Sequence, residues 1–268
     1  MKRLFIFFVI VLCFGGMVFS QTSEEIDDGF SPLDAYYLGR AVAANILKTY
    51  KLYNNAEAVQ YINNICQTLV VNSDYPTPYN GYFVMILDSR EFNAFATPGG
   101  HIFVTRRLVD SASSEDMLAA VIAHELAHIM LRHGIQIINS FKLENELSSI
   151  ADWASSTAAS KNTAAARATA FRDSITTTVD VLMRSGYSQT QEFEADLEAV
   201  VLLAKAGYDP GALLEMLKVL QSAKSSAKGG LYSTHPSPEQ RIANVQVLKF
   251  RKNETLRYRS QRFKGMKF

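Results

Sequence analysis

The stretch 117–130 constrains this chain most, because it is apolar nearly all round and yet contains His124, Glu125 and His128. A helix that is apolar on every side is buried in a protein core. Ionisable side chains on a buried helix are costly unless they are paired or bound to a metal. The sequence therefore predicts a core helix that holds a polar site.

The spacing of these three residues indicates metal-dependent hydrolysis. His124 and His128 lie one helical turn apart, so both imidazoles face the same side and can hold one metal ion. Glu125 lies about 100° around the helix from His124, where its carboxylate can reach a water on that metal without binding the metal. His-Glu-x-x-His on a helix is typical of zinc proteases, with the glutamate as general base. Such a pair also arises by chance on surface helices, but the apolar setting favours the metal site.

The pattern of elements predicts an α+β fold. A capping box of Ser113 with Asp116 is expected to begin the metal helix, and Gly134 is expected to end it. The remaining predicted helices span about 31–53, 56–70, 191–206, 209–223 and 238–250, and the predicted strands span 82–87, 91–96 and 101–105. Helices followed by a small sheet, the metal helix and further helices indicate a small, mainly antiparallel sheet in a mostly helical domain at 31–250.

Residues 1–20 have the layout of an export signal. Three residues with two basic side chains precede an apolar run from Leu4 to Phe19, and Ser20 is small, so cleavage is expected after Ser20. The mature protein is then periplasmic or secreted, with residues 21–30 as a disordered lead. The alternative is an uncleaved segment that anchors the protein to the inner membrane.

Composition limits the partners and the redox chemistry. The net charge of +1 argues against nucleic-acid binding. If Cys13 leaves with the signal, Cys66 is the lone cysteine and is expected in the core. The tail at 251–268 is basic, and is interpreted either as a frayed, solvated end or as a peripheral contact with an anionic membrane surface. The Ala-, Ser- and Thr-rich segment 141–190 is either a mobile helical lid or a plain surface hairpin.

The third metal ligand is sought among the carboxylates after the metal helix. Glu192 and Asp196 lie on one helical face that continues into the apolar Ala199 and Leu203. Glu192 could therefore bind the metal, while Asp196, one turn on, accepts a hydrogen bond from a ligand histidine.

Three other ionisable residues near these motifs are expected to take no part in metal binding. His133 is five residues past His128, so on a continuous helix it faces away and is expected to be a cation near the helix end. Glu194 and Glu198 lie on a different side of their helix from Glu192 and are expected to be solvated.

Together these motifs resemble the gluzincin family of zinc metallopeptidases that includes HtpX, periplasmic BepA and the CAAX prenyl proteases. The matching stretches are, in order, 93–100, 124–128, 192–196 and the His235-Pro236 pair with Arg241, and they span about residues 35–250. The resemblance implies a mainly helical zincin-like fold, with one Zn²⁺ per chain held by His124, His128 and Glu192.

The resemblance also implies roles for residues around the metal. Asp196 supports a ligand, and Asn93, Ala94, Phe95 and Ala96 belong to an edge strand that borders the site and pairs with substrate backbone. His235 either stabilises the transition state or blocks the metal as a latch. Arg241 orients that loop or a substrate carbonyl.

The expected function is that of a zinc endopeptidase acting on unfolded or misassembled envelope proteins, with Glu125 as the catalytic base. HtpX and the prenyl proteases have several membrane spans and BepA has a helical-repeat domain, neither of which this sequence contains, so compact periplasmic members are the better match. The alternative is a latent or chaperone-like zinc protein in which His235 is a permanent fourth ligand.

Overall fold

A computed structural model describes residues 30–75, 77–140, 176, 186–224, 235, 238–248 and 257–268. The predicted export signal, nearly all of the predicted lead, most of the 141–190 segment and residues 251–256 of the tail lie outside the described residues. Within the described ranges, no helix combines the length and the apolar character needed to cross a membrane.

The described chain is mainly helical, with one small sheet. The helices are α1 (Pro32–Thr49), α2 (Ala56–Val70), α3 (Arg106–Ser111), α4 (Glu115–Met130), α5 (His133–Ser140), α6 (Gln189–Lys205), α7 (Ala212–Lys224), α8 (Pro238–Gln246) and α9 (Arg257–Gly265). The strands are β1 (Phe83–Leu87), β2 (Ala94–Ala96) and β3 (His101–Thr105). The prediction of an α+β fold is confirmed.

The three-stranded sheet has the order β1-β3-β2, so β2 lies at an edge. β2 pairs with β3 antiparallel, as expected, but β1 pairs with β3 in parallel, so the sheet is mixed rather than mainly antiparallel. β2 is also shorter than the predicted strand 91–96. The Thr105 hydroxyl accepts a hydrogen bond from Asn93 N and donates one to Glu91 O, so only the bond from Thr105 N to Asn93 O remains of the regular backbone pairing there.

The core surrounds α4, all of whose residues are buried. α4 packs most extensively against α6 and also contacts α2, α7 and β2. Side-chain alternation along β3 places Ile102 and Val104 in the core that contains α4, while Phe103 enters a second cluster with α1 and α5. The metal helix is therefore held on several sides before any ligand is considered.

The ends of α4 differ from the prediction. Ser114, not Ser113, is the N-cap, and its hydroxyl accepts a hydrogen bond from Met117 N at 3.2 Å. With Ser114 as N-cap the third helical residue is Met117, so Asp116 is not at the capping-box position, and its carboxylate binds Arg259 instead. The helix ends at Met130 because Arg132 has a left-handed backbone (φ 57°), two residues before Gly134.

Glycine allows α1 to contact the turn after β2. A Cβ at Gly39 would lie 2.2 Å from the backbone nitrogen of Gly99, so only glycine fits at this position. This contact joins α1 to the predicted turn at Pro98, Gly99 and Gly100, and it fixes the direction of the edge strand.

The C-terminal segment is a docked helix over Arg257–Gly265, not a frayed end. Arg259 is only 6% exposed, and it donates hydrogen bonds to Asp116 Oδ1 at 2.9 Å and to Gly207 O at 3.3 Å. Arg262 binds the carboxylate of Glu115. Two of the basic residues predicted to be solvated are therefore ion-paired at the N-terminus of α4.

Cys66 is expected to be inert in the native protein. It is fully buried in α2, and burial raises the pKa of its thiol to about 12. An aromatic disulfide reagent at neutral pH should label the thiol only when denaturant unfolds the chain. Rapid labelling of the native protein would contradict the packing of α2.

Candidate active site

Four ionisable side chains from two helices and one further segment converge beside α4. His124, His128, Glu192 and His235 each offer one ligand atom, and these atoms all lie within 4.8 Å of one another. All four residues are buried. The site joins side chains that are more than 100 positions apart in the sequence. It contains the three metal ligands that the sequence analysis predicted, His124, His128 and Glu192.

Helix geometry places the first three of these residues. His124 and His128 lie one turn apart on α4 and their Nε2 atoms are 3.0 Å apart. Glu192 lies in the first turn of α6, which begins with a capping box between Ser188 and Gln191. Because α6 packs against α4, the Glu192 carboxylate reaches both imidazoles.

The spacing of these atoms fits a metal ion. Glu192 Oε1 is 3.3 Å from His128 Nε2, and Glu192 Oε2 is 3.4 Å from His124 Nε2. Nitrogen and oxygen ligands of a tetrahedral ion bound at about 2.0–2.1 Å lie about 3.3 Å apart, so the donor set matches that geometry.

A second observation concerns the carboxylate of Glu125. Within the described part of the chain, its buried Oε2 atom has no hydrogen-bond partner, as expected of a base that awaits water.

The surroundings of the three buried carboxylates of the site shift their pKa values in different directions. Burial raises the pKa of Glu125, which favours a role in proton transfer. Burial acts in the same direction on Glu192 and Asp196, but neighbouring positive groups outweigh it. His235 and Arg241 hold the pKa of Glu192 well below its usual value, and Arg241 lowers that of Asp196. Glu192 is therefore kept ionised, as a metal ligand must be.

Asp196 and Arg241 hold the first ligand in position. Asp196 Oδ1 is 3.0 Å from His124 Nδ1, which leaves Nε2 of that ring for the metal. Arg241 donates from Nε to Asp196 Oδ2 at 2.8 Å, and its second side-chain nitrogen, Nη1, is 3.0 Å from Glu192 Oε2. The structure thus places Arg241 beside two carboxylates of the site. The family resemblance had implied that Arg241 orients the loop of His235 or a substrate carbonyl.

His235 lies inside the site. Its Nδ1 is 2.7 Å from Glu192 Oε1, and its Nε2 is 3.8 Å from Glu125 Oε1. Both roles predicted for His235, stabilising the transition state and blocking the metal, require this location.

Three residues that the sequence analysis did not assign to the site also lie there. His133 is fully buried and its Nδ1 is 2.9 Å from His128 Nδ1, while Glu194 is 3.2 Å from the other ring nitrogen of His133. The Tyr187 ring stacks on that of His128 with centroids 3.7 Å apart. The left-handed turn at Arg132, which the sequence did not signal, brings His133 back to the site.

The edge strand β2 borders the site. Thr97 N bonds His101 O, and Thr105 N bonds Asn93 O, so alternate residues of this strand face β3. The backbone groups of Ala94 and Ala96 therefore point to the free edge. Phe95 is a core side chain, and the buried Asn93 uses its side-chain oxygen to accept from Ala94 N at 3.0 Å.

Two cavities lie at opposite ends of β2. A cavity of about 220 Å³ borders Ala96, His128 and Tyr187. A small pocket of about 30 Å³ borders Ala94, Glu125 and several apolar side chains of α7, namely Leu213, Met216, Leu217 and Leu220. Each cavity is lined by a residue of β2 and by at least one of the candidate ligands, Ala96 with His128 in the larger one and Ala94 with His124 in the smaller one.

A mixed α+β core with a buried His-Glu-x-x-His helix, a carboxylate from a second helix and an adjacent strand edge defines a metallopeptidase. A profile of Peptidase family M48 matches residues 56–249 of the chain. The protein belongs to this family, and the family predicted from the sequence motifs is confirmed.

The chain is also similar to individual members. It is 29% identical to the Beta-barrel assembly-enhancing protease of Escherichia coli K12 over 198 residues, which are 73% of this chain and 39% of that protein. It is 29% identical to the Mitochondrial metalloendopeptidase OMA1 of Arabidopsis thaliana over 168 residues, or 62% of this chain and 32% of that one. The OMA1 protein of Schizosaccharomyces pombe is 31% identical over 160 residues, with 58% and 42% covered. The chain thus spans well under half the length of these relatives.

Proposed function

We propose that this protein is a zinc-dependent endopeptidase that cleaves extended segments of exported, unfolded or misassembled envelope proteins. The observation that carries the proposal is that His124, His128 and Glu192 offer ligand atoms within 4.8 Å of one another beside Glu125, whose Oε2 has no hydrogen-bond partner among the described residues. Two imidazoles and a carboxylate suit zinc, and three protein ligands leave a position for water.

The reaction divides the work between the metal and the protein. When bound, zinc lowers the pKa of a water and polarises the scissile carbonyl. Glu125 accepts the proton of the attacking water and delivers it to the leaving amine. Asp196 and Arg241 keep His124 and Glu192 in place during this transfer. His235 is close enough to donate a hydrogen bond to the developing oxyanion.

The edge strand β2 and the two cavities beside it suggest how a substrate binds. An extended peptide antiparallel to β2 pairs with the outward backbone groups of Ala96 and with the carbonyl of Ala94, whose N–H is already bound by Asn93 Oδ1. Such a peptide runs from the larger cavity, past the metal ligands, to the apolar pocket beside Glu125. The residue after the cleaved bond would then meet Leu213 and Met216, which favours an apolar side chain there. A folded protein cannot supply such a segment, so unfolded substrates are preferred.

One comparison supports the substrate class, and the other supports the type of reaction. The E. coli relative is named for β-barrel assembly, and the OMA1 relatives are named metalloendopeptidases of mitochondria. Together with the export signal predicted at residues 1–20, this favours the periplasm, or the inner membrane if that segment is not cleaved. Peripheral membrane contact by the tail stays a prediction. Among the described tail residues, Arg257, Lys264 and Lys267 are exposed cations outside the ion pairs with Glu115 and Asp116.

The direct test is metal content and cleavage of an unfolded protein by the purified chain. We expect one zinc per chain, digestion of casein, and loss of both on dialysis against a chelator, with recovery when zinc is returned. The midpoint of thermal unfolding should fall on metal removal because a ligand that binds only the folded state stabilises it. Cleavage that survives removal of the metal would refute the proposal.

A latent site is the second candidate, and the 2.7 Å contact of His235 with Glu192 favours it. A fourth protein ligand closes a zinc site and blocks water. In His235→Ala, a latch predicts that casein cleavage rises or first appears. A catalytic His235 predicts a fall of about 10²–10³-fold in kcat, the usual cost of one oxyanion donor. The zinc content of both proteins is the control.

A further inference from the structure

We propose that His133 and Glu194 form a relay that positions the metal ligand His128. The proposal rests on the metal site described above but not on proteolysis. Its three members are His128 on α4, His133 at the start of α5 and Glu194 on α6. Neither His133 nor Glu194 lies in the group of metal-ligand atoms.

The direction of the hydrogen bonds follows from the geometry. His128 directs Nε2 to the metal ligands, 3.0 Å from His124 Nε2, so its other nitrogen, Nδ1, is the one that carries hydrogen. That atom is 2.9 Å from His133 Nδ1. Two N–H groups cannot face each other across such a contact, so His133 Nδ1 accepts.

The acceptor role of His133 in turn fixes its other nitrogen. A neutral imidazole that accepts at Nδ1 carries its hydrogen at Nε2. This Nε2 is 3.2 Å from Glu194 Oε2, to which it donates. The Glu194 side chain is 53% exposed, whereas that of His133 is fully buried. The relay therefore connects a buried ligand to a carboxylate at the protein surface.

The two histidine ligands are thus oriented by different means. His124 donates directly to Asp196, a buried carboxylate that Arg241 also binds. His128 reaches a carboxylate only through a second imidazole. Groups that orient metal-binding histidines usually change metal affinity by about 10–100-fold when removed. We therefore expect metal affinity at His128 to depend on a residue that solvent can reach.

The test measures zinc affinity of the full chain by competition with a chromophoric chelator at fixed pH, with the visible spectrum of the cobalt-substituted protein as a second readout. His133→Leu removes the acceptor and should weaken zinc binding about 10–100-fold, with an altered cobalt spectrum. In His133→Asn, the amide oxygen can replace Nδ1 as acceptor and should restore most of the affinity. Glu194→Ala should weaken binding about tenfold, near the lower end of that range.

A double-mutant comparison separates a relay from a general charge effect. Because Glu194 acts through His133, Glu194→Ala should cost nothing further in the His133→Leu background. Glu215→Ala, which removes an equally negative and exposed side chain from α7, should leave zinc affinity unchanged. Unchanged affinity in His133→Leu, or equal losses from Glu194→Ala in both backgrounds, would overturn the proposal. If His133→Leu does not fold, His133→Asn takes its place as the background; asparagine has no donor at the position of Nε2, so Glu194→Ala should cost nothing further there, and the same loss as in the unmutated protein would overturn the relay.

Discussion

Glu125→Gln is expected to retain zinc and to lose casein cleavage. The amide keeps the size and the position of the side chain on α4, but it cannot accept the proton of the attacking water. General base catalysis contributes about 10²–10⁴-fold to a rate, and a loss of at least this size is expected in kcat. Zinc content should not change, because Glu125 lies outside the group of ligand atoms.

Stability separates this loss of activity from damage to the fold. Burial raises the pKa of Glu125, so above its ordinary pKa the ionised carboxyl lowers the stability of the metal-free protein. Removal of the charge should leave the free energy of unfolding of that form equal or higher. Glu215→Gln on α7 is the matched control, because this glutamate is exposed. Proteolysis at the unmutated rate in Glu125→Gln would end the assignment of Glu125 as base.

Arg259→Met is expected to cause a large loss of stability although it lies outside the metal site. Arg259 lies with Nε 3.8 Å from Glu115 Oε1 and its guanidinium carbon 4.4 Å from the Tyr208 ring centroid, besides its bond to Asp116. Both acids are at most 2% exposed. Methionine fills the space but leaves these charges underpaired. Breaking a buried pair in this way costs about 3–5 kcal/mol.

The measurement is the free energy of unfolding in urea, with the thermal midpoint as a second readout. A loss of this size should lower the midpoint by about 10 °C in a chain of this length. Arg257→Met is the matched control, because the same residue type lies exposed on the same helix and should change stability by less than about 0.5 kcal/mol. Equal effects of the two substitutions would show that α9 is not part of the folded core.

Local spacing made part of the site predictable. The i, i+4 spacing of His124 and His128 and the shared face of Glu192 and Asp196 depend only on helical periodicity, which is a property of the sequence itself. The family resemblance implied the edge strand at 93–96, and β2 does lie at an edge of the sheet. These features are accordingly where the sequence expected them, and the family follows from them.

Other features depended on where chain segments meet. On a continuous helix His133 would face away from His128, and one left-handed residue at Arg132 reverses that expectation. The tail looked solvated because its charges are visible in the sequence while their partners, Glu115 and Asp116, lie more than 140 positions earlier. The parallel pairing of β1 with β3 also joins segments that β2 separates.

The sequence by itself therefore determined which candidate ligands and which candidate base the helices present, because these follow from local periodicity and residue type. The tertiary structure decided which groups surround them, namely His133, Glu194 and Tyr187, and which acids Arg241 and the C-terminal helix contact. Their roles depend on contacts between distant segments, and those contacts are set by the packing of the core rather than by any local pattern.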